Sequence, residues 1–343
     1  MQNTHLSEGE RREADLMRGA LRDGGFTSRK VAQALGFIAW SGAALDSAWW
    51  RRSPSAGGAL GPLIDVFVRG EDVGEAALVT ALGARAHAAG TRLGLIEGGA
   101  SPLLLLPLGE DLVLMDHPAR SGQDDGIFLA DSTSWAARRM VLGPAGRHLD
   151  LGSGGGAVTL AAARTATETV GLDINPRAAT VLALSAALSA VNVLPTTGDA
   201  RALDGIGTFD RVSFVLPMLT RRVEMADAPV HTLGPANLLE SVIDQLPSLL
   251  RPQGLAILYS QVVLPGGELP TVLRRAFARR RFRARLWVDW WSDTEVGPVR
   301  GGILALRADA DGGFDEVEAP PDRPGDDDGS AQLAALATTP HDG

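Results

Sequence analysis

The chain has 343 residues, of which 45% are hydrophobic, 5% aromatic and 41 glycine, and it carries a net charge of −9. That is enough apolar material for one large domain or two smaller ones, and glycine-rich, aromatic-poor usage suits an α/β chain. There is no cysteine, which excludes disulfides, thiolate metal sites and a cysteine nucleophile.

The six histidines (His5, His87, His117, His148, His231 and His341) show no ligand-like spacing, so no metal is expected. The negative balance lacks the basic footprint of a nucleic-acid binder, and nucleic acid is not an expected partner. No N-terminal segment has the charged-then-apolar form of a signal peptide. The apolar run Leu103 to Leu108 is interrupted by Pro107 and is too short to cross a bilayer. A cytoplasmic protein without a membrane partner is expected.

In chain order, Met1 to Asp15 is polar and expected to fray. Leu16 to Gly36 has helical spacing broken at Gly24-Gly25, and Thr27 or Ser28 suits the N-cap of a second helix through Val31, Leu35 and Ile38. Trp40, Trp49 and Trp50 read as packing aromatics. Ser53 to Gly61 is a turn region. Helical stretches follow at Leu63 to Phe67 and Val73 to Leu82, then three apolar segments read as strands: Leu93 to Ile96, Pro102 to Leu108 and Asp111 to Met115. Helices followed by short strands suggest a winged-helix-like N-terminal domain, residues 1–120. Its arginines Arg51, Arg52, Arg69 and Arg85 are matched by Asp65, Glu71, Asp72 and Glu75, which favours a lid or a dimer contact over a DNA reader. A homodimer is therefore allowed.

Pro118 to Gly126 reads as a boundary. After a short helix ending near Met140, β and α segments alternate: strand to Asp150, helix Val158 to Ala166, strand to Asp173, helix Pro176 to Val191, strands Leu194 to Thr197 and Phe209 to Leu216, helix Pro235 to Leu250 and strand Gly254 to Gln261. Helix Pro270 to Arg281, strand Ala284 to Trp291 and strand Gly302 to Leu306 close a second domain, residues 126–309. This alternation predicts a parallel sheet with helices on both faces, its closing pair antiparallel. Seven arginines between Arg274 and Arg285 read as an exposed helix face and its exit. Residues 310–343, rich in Asp, Gly and Pro, are expected to be a disordered acidic tail.

The stretch that organises the second domain is Arg147-His148-Leu149-Asp150-Leu151-Gly152-Ser153-Gly154-Gly155-Gly156-Ala157. Strand, glycine turn and helix form a cradle for a nucleotide-like ligand, because glycines turn tightly and leave the backbone bare. Gly152, Gly154 and Ala157 also satisfy the loose dinucleotide pattern. Asp150, two residues before the first glycine, would approach a pyrophosphate, whereas a ligand with a cationic amino-acid end would gain from it. Asp173 closes the next strand, where a ribose-binding carboxylate belongs. Asp199 closes the third.

Asp150-x-Gly152-x-Gly154-x-Gly156, then Gly171-Leu172-Asp173-Ile174-Asn175-Pro176-Arg177-Ala178, then Gly198-Asp199, resembles a class I S-adenosylmethionine-dependent methyltransferase of the small type, the group of the release-factor glutamine and ribosomal RNA guanine methyltransferases. The resemblance implies a Rossmann-like seven-stranded sheet, parallel except for its last strand, and S-adenosyl-L-methionine as cofactor. It further implies that Asp150 lies near the amino-acid part of the cofactor and that Gly152, Gly154 and Gly156 form its floor. Asp173 would take the ribose hydroxyls, Ile174 the adenine face, and Asp199, with Ala200 beside it, the adenine amino group.

The amino-methylating relatives carry Asn-Pro-Pro-Tyr/Phe after the fourth strand. Val215-Leu216-Pro217-Met218 stands here instead, so the amide clamp and the aromatic platform are both missing. Val215 is expected to wall the cofactor site, and Phe128, Thr133, Pro217 and Met218 the acceptor. His231 is a candidate base and Tyr259 a second catalytic candidate, with Thr232, Gln261, Asp131 and Ser132 as further polar groups nearby. The expected reaction is O- or N-methylation of a small molecule. The alternatives are N-methylation of RNA or protein, or a non-methylating use of S-adenosylmethionine such as intramolecular cyclisation.

Overall fold

The computed structural model describes residues 1–36, 57–117, 123, 125–128, 143–217, 219–220, 233–234, 237–263, 271–294, 297–310 and 312–318. Ile38, Trp40, Trp49, Trp50, the short helix expected before Met140 and residues 319–343 lie outside them.

The N-terminal layer is helical. A two-residue strand β1 (Gln2–Asn3) precedes α1 (Glu8–Asp23). Ser7 and Glu10 start this helix as a reciprocal capping box: Glu10 N–H donates to the Ser7 hydroxyl at 3.2 Å and Ser7 N–H to the Glu10 carboxylate at 2.7 Å. The polar start of the chain is thus ordered, where fraying was expected, because the polar residues are cap and strand residues. Thr27 caps α2 (Ser28–Ala34) as expected. Then come α3 (Leu60–Ile64), which runs into a π-turn (Asp65–Arg69), α4 (Glu75–Leu82) and α5 (Ala84–Arg92).

Leu93 to Ile96 is not a strand. It is the C-terminal turn of α5, in which Leu95 N–H reaches back to the Gly90 carbonyl at 2.8 Å and Gly94 takes a left-handed φ of +69°. Its apolar residues fill the helical core instead of a ladder; Leu95 and Ile96 are each 1% exposed. The other two apolar segments form an antiparallel hairpin, β2 (Leu104–Leu108) and β3 (Asp111–Met115).

The remainder builds the large sheet from β4 (Ala145–Leu151), β5 (Ala166–Asp173), β6 (Leu194–Thr197), β7 (Phe209–Val215), β10 (Leu250–Val263), β11 (Phe282–Thr294), β12 (Gly297–Ala308) and β13 (Gly313–Glu318), with β8 (Leu219–Thr220) and β9 (Leu233–Gly234) as a separate short pair. The order is β1-β6-β5-β4-β7-β10-β12-β11-β13. Numbered from β4, the inner strands run 3-2-1-4-5-7-6, and β12 alone of these is antiparallel to its neighbours. The Rossmann-like seven-stranded arrangement is present. It gains one strand at each edge: β1 pairs antiparallel with β6, and β13 pairs parallel with β11. The acidic tail therefore begins as sheet, because Phe314 and Val317 give Gly313 to Glu318 enough apolar character to pair.

Helices α6 (Ala157–Ala163) and α7 (Pro176–Ser189) cover one face. Helices α8 (Leu238–Leu249) and α9 (Thr271–Arg279) cover the other, around Leu149, Val170, Val212, Ala256 and Leu304. Arg280, within the arginine-rich run, is not a free surface cation. It donates to the Pro247, Leu250 and Arg251 carbonyls and pairs with Asp309 at 2.5 Å, closing the C-terminus of α8.

Helix α7 also belongs to the N-terminal core: Ala178, Val181 and Leu188 pack with Met17, Leu21 and Leu105. The Leu112 and Leu114 amides of β3 donate to the Ser189 and Ser185 hydroxyls at 2.9 and 3.1 Å. Residues four apart on a helix are about 6 Å apart along its axis, and residues two apart on a strand about 6.7 Å. The serine pair therefore matches the strand repeat and satisfies the open edge of the hairpin.

Candidate functional site

The glycine loop lies at the C-terminal end of β4, near the centre of the sheet. Gly152, Gly154 and Gly156 all have left-handed φ, +64°, +50° and +102°, which favours glycine. Their surroundings differ. A side chain at Gly152 would strike the Phe214 ring at 2.8 Å, and one at Gly156 the Leu182 side chain at 2.5 Å, so these two permit packing. At Gly154 the nearest atom among the described residues is Ile127 Cγ2 at 4.0 Å, so no described residue crowds it. Gly155, unassigned by the motif, is where β3 crosses the loop: the Leu114 carbonyl occupies the place a Cβ would need.

Asp150 is 2% exposed and lies beneath the loop. It accepts the Thr159 hydroxyl at 2.5 Å and the Ser213 hydroxyl at 2.6 Å. His148 Nε2 sits 2.7 Å from the same Ser213 oxygen. Since Ser213 donates its only proton to Asp150, His148 must donate from Nε2, which leaves Nδ1 a bare acceptor; that atom is buried and has no partner. Burial pushes the Asp150 carboxyl up to about 6, against its two hydroxyl donors. Burial, helped by the Arg211 charge, pushes His148 down to about 3. The acid thus ties β4 to β7 and to the first turn of α6.

Asp173, at the end of β5, is half-buried. It accepts Gly154 N–H on one oxygen and Asn175 N–H on the other, both at 2.9 Å. Burial raises its pKa, opposed by these backbone donors. The Ile174 N–H also donates to this carboxylate, so three backbone donors hold it and capacity for a further donor remains. Ile174 follows at 64% exposure, a large apolar side chain turned to solvent. Asp199 is held by Arg201 at 2.6 Å through a two-nitrogen pairing that lowers its pKa, so a ligand must compete for it. Ala200 is 9% exposed and its carbonyl accepts from Gln245 at 3.0 Å.

On β7, Val215 is half-buried and in register with Tyr259 of β10. Leu216 is 5% exposed, in the core, and Pro217 is half-buried. Tyr259 is 4% exposed and packs with Val158, Ile257 and Ile303, so its ring serves as core. Phe128 is half-buried, next to the Gly126 backbone. His231, Thr232, Asp131, Ser132, Thr133 and Met218 lie outside the described residues, and of Gln261 only the backbone is described. No three His, Asp or Glu side chains converge as a metal site among the described residues.

The structure thus brings Gly154 against the Asp173 carboxylate and Ile127, with the exposed Ile174 next in sequence. Sequence reading missed Ile127, Asn175, Thr159 and Ser213. Asn175 carried a signal, as an N-cap before Pro176; the hydroxyls on β7 and α6 carried none, since only the fold pairs them with Asp150.

No protein-family model matches the sequence. No curated protein matches it. Solved structures resemble parts of the chain. Trm5b from Pyrococcus abyssi is 16% identical, with 62% of this chain and 58% of that chain covered and a TM-score of 0.43. The tRNA m1G37 methyltransferase of M. jannaschii is 16% identical, with 63% and 60% covered and a TM-score of 0.42. Ribosomal protein L11 methylase from Lactobacillus delbrueckii subsp. bulgaricus is 19% identical, with 54% and 81% covered and a TM-score of 0.35. The chain spans about three fifths of the length of the first two.

Proposed function

We propose that the chain binds S-adenosylmethionine over Gly154 and is a methyltransferase. The observation that supports this most is Asp173: a carboxylate at the end of the second inner strand, fixed by the Gly154, Ile174 and Asn175 N–H groups, with acceptor capacity left and an exposed isoleucine next in sequence. A ribose diol fits the carboxylate and an adenine face fits Ile174. The cofactor would supply a sulfonium-activated methyl group; the chain's own task is to orient the acceptor and exclude water. Calorimetric titration with S-adenosylmethionine and with NAD tests the reading. Binding of the first is expected, and Asp173→Ala should weaken it about 100-fold, as the loss of two hydrogen bonds to a charged group implies. NAD binding without S-adenosylmethionine binding would overturn it.

The reading of the acceptor rests on the fourth strand's end. A buried Leu216 and a half-buried Val215 stand where an amide clamp would be, which supports a small-molecule acceptor held by apolar contact. One observation favours a second reading, methylation of RNA or protein. Residues 311–343 hold nine carboxylates against one arginine, so eight of the nine net negative charges lie there and the rest of the chain is nearly neutral. The overall charge therefore gives little ground against a polyanionic acceptor. Tritiated cofactor incubated with separate RNA, ribosomal-protein and metabolite fractions distinguishes the two. Label in the metabolites alone supports the first reading, and acid-precipitable label the second.

A further inference from the structure

Ile127, the described residue nearest the Cβ position of Gly154, comes from before the glycine loop, and a polar clamp holds it there. Asp116, fully buried just after β3, accepts both terminal nitrogens of Arg177 at 2.5 and 2.6 Å. The same carboxylate accepts Ile127 N–H at 2.8 Å, while Asp116 N–H donates to the Ile127 carbonyl at 2.8 Å. Ile127 is thus bound to Asp116 by two opposed hydrogen bonds. Two residues earlier, the Asp125 carbonyl accepts the Asn175 side-chain amide at 2.8 Å and Arg177 Nη1 at 3.2 Å.

Arg177 and Asn175 stand at the start of α7. Asn175 caps the helix through Arg177 N–H at 3.0 Å, and its own N–H donates to Asp173. An arginine in a helix's first turn opposes the helix dipole. A buried aspartate is costly unless paired and fully hydrogen-bonded. Both unfavourable choices are resolved by their bidentate contact, which fixes the Asp125 carbonyl and Ile127 against the start of α7, with Ile127 Cγ2 4.0 Å from the Cβ position of Gly154.

We propose that Arg177 is a positioning residue: through Asp116 and Asp125 it holds residues 125–128 as a wall of the ligand site, so that the hairpin and helices of the N-terminal layer complete that site. This rests on the reading that S-adenosylmethionine binds over Gly154. The experiment is calorimetry on the full chain with S-adenosylmethionine and S-adenosylhomocysteine, with Tm recorded for every variant. Because Arg177→Met alone strands a buried carboxylate and endangers folding, the main variant is the pair Arg177→Met with Asp116→Asn; Arg177→Lys, which keeps the charge without the fork, is the second. Both should remain folded at the titration temperature and raise the Kd for both ligands about tenfold, as loosened support of a site does. A lowered Tm with unchanged Kd in both variants would reduce the clamp to a fold-stabilising contact and overturn the proposal. Failure of the unmodified chain to bind either ligand would instead overturn the cofactor reading beneath it.

Discussion

Asp150 illustrates how one residue's surroundings set its role. The resemblance implies a place near the amino-acid part of the cofactor; in the structure its carboxylate accepts the Thr159 and Ser213 hydroxyls. Its pH behaviour follows from the shifted values. A carboxyl raised to about 6 in the folded state favours folding at low pH, and this contribution is lost as pH rises from about 4 to about 6. A histidine depressed to about 3 acts in the opposite sense: stability is lost as pH falls from about 6.5 toward 3, because only the unfolded chain takes up the proton. Between pH 4 and 6 the two slopes oppose each other, each about 1.4 kcal/mol per pH unit. Relative to the unmodified chain, Asp150→Asn should therefore lose stability as pH falls from 6 to 4, and His148→Gln should gain it. Urea unfolding at half-unit pH steps measures this; parallel curves for all three proteins would show that the pair does not titrate in that window.

At the scale of elements, the junction between β3, α7 and the glycine loop joins the N-terminal layer to the sheet. The Ser185 and Ser189 hydroxyls accept buried backbone N–H groups, so Ser185→Ala with Ser189→Ala should cost about 1–3 kcal/mol for each donor left unsatisfied. Gly155→Ala should cost about 1–3 kcal/mol through collision with the Leu114 carbonyl, and should also weaken the proposed S-adenosylmethionine binding, since the loop must move to relieve it. Chemical denaturation of the serine variant and calorimetry of the alanine variant check these outcomes. Most of this architecture was legible in the sequence. Strong β/α alternation placed every inner strand, because its periodicity is local; β6 was predicted at its observed bounds, Leu194–Thr197. What escaped depends on contacts distant in sequence. Leu93 to Ile96 has strand-like composition but ends a helix, because Gly94 supplies a left-handed turn. Nothing near Asp116 in sequence announces Arg177, 61 residues away.

For the whole molecule, the division of labour lies between the two sides of α7. One side closes the Rossmann-like sheet and the other belongs to the N-terminal core, so the proposed ligand site over Gly154 would take its floor from one part of the chain and a wall from the other. The strands at the two sheet edges carry a further consequence, for association between copies. An open strand edge invites pairing with another chain, and short or like-charged edge strands discourage it. One edge here is only two residues long, and the other bears Asp315, Glu316 and Glu318 within six residues. Two copies meeting along β13 would bring two acidic strands together. Any dimer of this protein should therefore form through some other surface than a continuous sheet. Replacing the three acids by Asn, Gln and Gln should release concentration-dependent association, seen as a rising sedimentation coefficient; an unchanged coefficient would mean that charge is not what guards the edge.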